Sequence, residues 1–580
     1  MDCAGKRTFL GLAVLLLWGW IPPLVSAEVD STQTVLGLYP TGQTERQHEQ
    51  TWFEYRSHPI HPEAGTARIV RLDQLRLKNW AMRWAVQVAD GTIRSVSPDS
   101  LSLQETQPFT LICSLAYQGP LSLNPAQLQA TRPEVLLVPG AGLWCQPKSL
   151  DPPWYKRLFG AKTPVRYNAR ETTPTHIVMI LMDTLRPDHT PPYGHPQVIA
   201  PHLDMLASLG VLFENAYGAS SSTRPSCGSI FSGLHPPAHG AVRHATDGAA
   251  LHPGVRLFSQ DFQTQQFDTA YVSCNAQVTE LYGFDKGYAH FECPVWESQV
   301  TPRGLALLQT LRSPFFLYLH YLAPHQPYEP PALLASIYEG KTATPEEALY
   351  CGEITLDDRR VGVILRELAE QGILESTLIW LLSDHGEEFW EHGWNGHGAN
   401  LYEESVRTVS IVTYPRFFQP GSRVEALVSH VDVYPTLAAL LDWDTPPSLQ
   451  GVSLLPLLRG TAQPLVAERP LFLHHGGGAN KGVHESDKEA VLAQGMKMVQ
   501  WTQKNQWELY DLKTDPQEKR NLTELAAAEA EAHGLRLLLK AQLETCEILA
   551  SQYRVPIDET EAMQVPDHVL DNMRHLGYIE

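Results

Sequence analysis

The sequence predicts an α/β protein, an α/β/α sandwich built on a large, mainly parallel mixed sheet with helices on both faces. Three observations predict it. From His176 onward, apolar runs of buried-strand length alternate with stretches of helical periodicity. Four of these runs end on polar residues: His176–Met182 is followed at once by Asp183, Thr269–Cys274 by Asn275, Phe315–Leu322 leads to His325, and Thr377–Ser383 leads to Asp384-His385. Finally, 580 residues is enough chain to bury a large core and to split into modules. Open α/β sheets bind ligands beyond the carboxyl ends of their strands, so the polar residues after these runs stand where a site belongs.

The modules follow in chain order. Residues 1–27 read as a leader: Lys6 and Arg7 precede the apolar run Phe9–Trp20, and Val25-Ser26-Ala27 supplies small residues for cleavage. That run is too short to span a bilayer, so no stable transmembrane anchor is expected and the protein is expected to be exported, to a periplasm or the exterior. Residues 28–170 form a β-rich module, with Trp80–Val88 and Phe109–Tyr117 as strands between turn-forming residues. Residues 171–465 carry the strand ends named above. In 466–580, short strands at Pro470–His474, Ala490–Gln494, Met496–Trp501 and Trp507–Leu512 precede a helical stretch, Leu522–Ala550, predicting a small antiparallel sheet with a helix beside it.

Charge narrows the partners. With 44 Lys+Arg against 64 Asp+Glu, the chain lacks the basic surface that nucleic acid requires. An anionic substrate must be held locally, by a metal and histidines. Of eight cysteines, Cys3 leaves with the leader. An oxidising compartment permits Cys113–Cys145 and Cys274–Cys293 bridges, and buried unpaired thiols are an equal alternative.

The motifs occur as an ordered series. Asp183-Thr184-Leu185-Arg186-Pro187-Asp188-His189 precedes Tyr193-Gly194, and Pro201-His202-Leu203-Asp204 follows. Thr223-Arg224-Pro225-Ser226-Cys227 then precedes Ser232-Gly233 and His239-Gly240. Pro324-His325-Gln326-Pro327-Tyr328 and Ser383-Asp384-His385-Gly386-Glu387 come next, with His392 and Gly396-His397-Gly398. Val431–Thr436, Gly451–Leu454, Glu508–Leu512 and Leu576-Gly577-Tyr578 complete the series. In this order and over residues 174–580 the chain resembles the sulfatase family, within the alkaline-phosphatase-like superfamily.

The resemblance implies a single divalent cation held by Asp183, Thr223, Asp384 and His385, with Thr223 as nucleophile and His325 and His397 as further catalytic groups. His392 and His239 match weaker positions. Attack on a sulfuryl or phosphoryl centre needs an activated oxygen and positive charge facing the non-bridging oxygens, which a metal ion supplies. The mixed oxygen and nitrogen set suits Mn²⁺ or Zn²⁺ at least as well as Ca²⁺.

Three departures matter. Thr223 stands where family members carry the cysteine or serine oxidised to formylglycine. A threonine Cβ bears a methyl and cannot become that aldehyde, so formylglycine is not expected. Cys227 replaces an arginine, and Thr184 stands where many members have a second metal-binding aspartate. The resulting expectation is hydrolysis of a sulfate or phosphate ester on a small molecule, glycan or lipid headgroup, with Thr223 attacking directly. A phosphoryl-group transferase of the phosphoglycerol or phosphoethanolamine type ranks second, and a non-catalytic member that keeps the fold ranks third. The only Asp-x-x-x-His spacing, Asp571–His575, lies far from the core motifs.

Overall fold

The strand His176–Met182 is buried along its whole length, as a strand covered on both faces must be. The computed structural model describes residues 173–554 other than 244–248, 416, 462–468, 477–486, 505 and 526–527, together with backbone strands inside 1–172 and 479–484. The chain divides into two compact units, Met1–Pro152 and Pro153–Glu580. In the first, strands Leu36–Gln47, Gln50–Ser57, Phe109–Tyr117, Trp80–Val88 and Ile93–Val96 pair antiparallel in that lateral order. Apart from two short strands, the leader lies outside the described residues, as does Asp571–His575.

The second unit is built on a nine-stranded mixed sheet. Its parallel part runs His290–Glu292, Asp268–Ser273, Phe315–Tyr321, His176–Met182, Thr377–Leu382. Ser410–Thr413 joins antiparallel, followed by Val211–Tyr217 with Arg407–Thr408 and Ser422–Ser429 beside it. The architecture is the α/β sandwich the sequence predicts. Register puts Leu181, His320, Ser273 and Leu382 at one level of the sheet, so the residues just past them emerge together.

The long helix Pro345–Glu370 shows why helices form where they do. Thr344 caps it by accepting from the Glu347 N–H at 3.1 Å, Pro345 occupies its first turn, and Glu346 and Glu347 face its positive end. From this helix Asp358 accepts from the His202 and Leu203 N–H groups, both at 2.9 Å, and so holds the start of helix Pro201–Leu209.

The C-terminal strands Leu471–His475, Lys488–Ala493, Met496–Trp501 and Gln506–Asp511 form an antiparallel sheet. Period-two alternation divides its faces: Ala490, Leu492 and Val499 pack toward Tyr217, Leu401 and Val406 of the core. Val491, Met498 and Leu509 pack against Ala532, Leu535 and Leu539 of helix Ala528–Tyr553. Cys274 and Cys293 carry separate free thiols, so of the two alternatives it is the unpaired one that holds for them. The side chains of Cys113 and Cys145 lie outside the described residues. No helix among the described residues is long and apolar enough to cross a membrane.

Candidate active site

Asp183 is the first residue past the central strand, and its N–H donates to the Tyr321 carbonyl at 2.9 Å. Asp384 lies two residues past Thr377–Leu382, followed by His385. Thr223 opens helix Thr223–Ser232, so its hydroxyl sits at the helix's positive end. All four are at most 2% exposed. The Thr223 Oγ1 lies 3.2 Å from His385 Nε2 and 3.5 Å from Asp183 Oδ2. His385 Nε2 is in turn 3.3 Å from Asp384 Oδ2 and 3.7 Å from Asp183 Oδ1. The fold therefore brings the four proposed ligands together.

Electrostatics show what the cluster lacks. Asp183 Oδ1 and Asp384 Oδ2 are buried and have no hydrogen-bond partner. Uncompensated buried carboxylate oxygens are costly, and a cation is the partner they demand. Burial, and then the neighbouring Asp183, push the Asp384 carboxyl up to about 6. Burial also acts to raise Asp183, but hydrogen bonding to His320 and the charge of nearby histidines outweigh it and lower its pKa. His385 Nδ1 faces the Gly386 carbonyl at 2.9 Å, which places a proton on Nδ1 and turns Nε2 toward both aspartates; burial acts to lower the imidazole's pKa, but their charges outweigh it and raise it. The donor set fits a divalent cation.

Backbone detail holds the cluster. Asp384 Oδ1 accepts from the Thr184 N–H at 3.2 Å and the His385 N–H at 2.9 Å. Thr184 makes its bond from a left-handed conformation, φ +57°, which is unfavourable for a β-branched residue. Its hydroxyl donates to the Pro324 carbonyl at 2.7 Å, so Thr184 serves as a brace where an aspartate would offer a ligand. A Cβ at Gly386 would overlap the Glu404 carbonyl, which explains the glycine of that motif.

His325 and His397 complete the site. The His397 ring centroid lies 4.6 Å from that of His385 and 4.6 Å from that of His325. His397 Nδ1 is 3.0 Å from Glu387 Oε2, an orienting carboxylate that burial raises to about 7. His325 Nδ1 faces the Gln326 carbonyl at 2.5 Å, and burial, helped by His397, lowers its pKa to about 4. The resting His325 is thus neutral. The other candidates stand apart: His392 pairs with Glu404 and stacks on Tyr402 at 3.8 Å. His239 accepts from the Ala241 N–H at 3.2 Å and is pushed down to about 3 by burial, so it fixes a turn. Cys227 is a fully buried core thiol.

His320 is the residue that sequence reasoning missed. Its Nε2 lies 3.0 Å from Asp183 Oδ2, and Asp183, His320 and Asp384 offer possible ligand atoms all within 4.8 Å of one another. The signal was present: a histidine interrupting the apolar run Phe315–Leu322, on the same face as Tyr318 by strand alternation.

An open α/β sheet whose central strands end in a buried Asp/Asp/His cradle, with a hydroxyl at a helix N-terminus beside it, offers a place for a cation and an anionic ester. Comparison with known proteins gives the family. The family described as Sulfatase matches residues 175–443, and that described as N-sulphoglucosamine sulphohydrolase, C-terminal, matches residues 390–547. The chain is 23% identical over 463 residues to an arylsulfatase of Clostridium perfringens, covering 64% of this chain and 94% of that one. It is 22% identical over 535 residues to an N-acetylglucosamine-6-O-sulfatase of Bacteroides thetaiotaomicron, covering 72% and 91%. A phosphonate monoester hydrolase of Agrobacterium radiobacter shares the fold with a TM-score of 0.53 and 18% identity, over 65% of this chain and 96% of that one. The chain belongs to the sulfatase family of ester hydrolases, within the alkaline-phosphatase-like superfamily.

Proposed function

We propose that this protein is an exported hydrolase that cleaves a sulfate or phosphate ester with Thr223 as its nucleophile and one divalent cation as cofactor. The observation that carries the reading is the placement of Thr223 Oγ1 within 3.5 Å of both His385 Nε2 and Asp183 Oδ2, beside two orphaned carboxylate oxygens. A cation held by Asp183 Oδ1, Asp384 Oδ2, His385 Nε2 and Thr223 Oγ1 would acidify the hydroxyl and polarise the ester.

The chain's own groups then divide the work. Thr223 Oγ1 forms a bond to sulfur or phosphorus as the bond from that atom to the leaving alcohol's oxygen breaks. His397, oriented by Glu387, gives a proton to that departing oxygen. Water next attacks the sulfuryl or phosphoryl centre, restoring the threonine hydroxyl and releasing the inorganic anion. Neutral His325, with its Nδ1 proton directed at Gln326, presents Nε2 as an acceptor for a proton from the hydroxyl or the water. A phosphothreonine is resolved at phosphorus more readily than a sulfothreonine at sulfur, which favours a phosphate ester. The relative named N-acetylglucosamine-6-O-sulfatase supports a glycan as the carrier of the ester.

The test is hydrolysis of aryl sulfates and of phosphate mono- and diesters, with Mn²⁺, Zn²⁺ and Ca²⁺, by wild type and Thr223→Ala. Wild type should exceed the variant by orders of magnitude on one ester class; equal rates on every ester would end the proposal. Fragmentation of the labelled peptide must place the adduct on Thr223, because sulfo and phospho groups are nearly isobaric. Release that proceeds without an acceptor alcohol separates hydrolysis from obligate transfer.

A further inference from the structure

We propose that Asn275 and His320 form a clamp on the outer oxygen of Asp183, positioning that carboxylate for the cation without themselves being ligands. The proposal rests on the metal cradle described above, but not on Thr223 or on any substrate.

Two donors converge on one oxygen. Asn275 Nδ2 donates to Asp183 Oδ2 at 2.7 Å and His320 Nε2 lies 3.0 Å from the same atom, both closer than the Thr223 hydroxyl at 3.5 Å, while Asp183 Oδ1 has no hydrogen-bond partner. The three side chains are fully buried, so water does not compete for these bonds. A carboxylate whose one oxygen accepts two hydrogen bonds is fixed in rotation and offers its other oxygen in a single direction. That is the preorganisation a monodentate metal ligand needs.

The bonds made by each donor's far side settle its role. Asn275 Oδ1 accepts from the Gln277 N–H at 2.8 Å, which fixes the amide so that its nitrogen must face Asp183. Gln277 Oε1 in turn accepts from Arg224 Nη2 at 2.6 Å, anchoring the clamp to the residue beside Thr223. On the other side, the Tyr318 hydroxyl lies 3.2 Å from His320 Nδ1. A carboxylate oxygen only accepts, so the contact with Asp183 Oδ2 puts the ring's proton on Nε2 and leaves Nδ1 to accept from the Tyr318 hydroxyl; a protonated Nε2 is a hydrogen-bond donor and cannot coordinate a metal. His385 shows the opposite assignment, with Nδ1 protonated against Gly386 and Nε2 open. The two buried histidines near Asp183 thus have opposite tautomers and opposite duties. Sheet register explains the meeting: His320 pairs with Leu181 and with Ser273, so Asp183, His320 and Asn275 leave three adjacent parallel strands at one level.

The experiment strips the full-length protein with a chelator and titrates it with Mn²⁺ and with Zn²⁺ against a chromophoric competitor. X-ray absorption of the zinc-loaded wild type counts its imidazole ligands. Asn275→Ala and His320→Ala should each bind metal about tenfold to a hundredfold more weakly than wild type. His320→Gln, whose amide N–H can replace the lost donor, should recover part of that loss. His533→Asn, an exposed histidine on helix Ala528–Tyr553, should leave affinity unchanged. The wild-type spectrum should show one imidazole, from His385. Unchanged affinity in both alanine variants overturns the clamp alone, and two imidazoles place His320 on the metal and overturn it without any variant having to fold. A wild-type chain that binds no divalent ion sinks the cradle and the clamp together.

Discussion

Replacing Asp384 with asparagine should stabilise the protein in chelator and destabilise it, relative to wild type, in excess metal. Asp384 Oδ1 accepts two backbone N–H groups, and an amide oxygen can accept the same two. The orphaned Oδ2, 3.3 Å from His385 Nε2, becomes an uncharged amide N–H, and with the Asp384 charge gone the imidazole's pKa falls, leaving Nε2 to accept from it. The variant therefore exchanges an uncompensated buried charge for a hydrogen bond. Burial and Asp183 raise the folded carboxyl from 3.8 to about 6, so the ionised form is disfavoured in the fold. The penalty begins near the unfolded value and is complete above about 6, on the order of 2–3 kcal/mol at neutral pH. In metal the balance reverses once the excess is large: at about ten-thousandfold over Kd wild type gains about 5.5 kcal/mol and the variant does not, which leaves wild type about 2–3 kcal/mol ahead. Differential scanning calorimetry in chelator and at that metal excess should show the melting curves exchange order, each gap roughly 2–3 °C for a unit of this size. At about pH 4 in chelator, where Asp384 is protonated in the fold, the variant's advantage should shrink. A variant that melts below wild type in chelator at pH 7, or gains the same metal shift, refutes the reasoning.

Three further outcomes are expected. Lys497 is fully buried between Glu518 Oε1 at 2.9 Å and Glu403 Oε1 at 3.2 Å, so Lys497→Met should cost about 3–5 kcal/mol in urea unfolding by leaving the buried Glu518 carboxylate without its cation, and adding Glu518→Gln should restore part of it. His189 lies between Asp188 at 3.0 Å and Glu347 at 2.9 Å; burial and Arg186 lower its pKa, but the carboxylates outweigh them and raise it. This stabilisation is complete below the unfolded value of about 6.5 and fades as pH rises through the higher folded value, so wild type should lose more stability than His189→Gln between about pH 6 and 9. Non-reducing digestion after alkylation in denaturant should recover Cys274 and Cys293 as separately labelled peptides, and a linked pair would contradict the fold.

Much of the site was legible because each key residue directly follows a run whose composition marks it as a buried strand. Asp183, Asp384 and His385 are read in this way, and the motif series adds Thr223, His325 and His397. Other landmarks of that series prove to be framework. Asp432 accepts from the Ser429 N–H at 2.8 Å and the Val452 N–H at 2.9 Å, and Thr436 Oγ1 accepts from the Leu454 N–H at 2.8 Å. Sequence could not separate these roles, because a carboxylate that caps a turn and one that binds a cation look the same until their partners are known.

The chain alone determined the order of strands and helices and the polar residues at the strand ends, which follow from local periodicity and need no third dimension. That a threonine, which cannot become an aldehyde, stands at the nucleophile's position is what the resemblance to the sulfatase family implies. Only the tertiary structure decided that residues 183, 223, 275, 320, 384 and 385 meet, and which of their atoms are spent on each other. Sheet register and hydrogen-bond direction are relations between distant segments: they set Nε2 of His320 on a carboxylate and Nδ1 of His385 on a carbonyl, contacts that neither residue's own neighbours in the chain reveal.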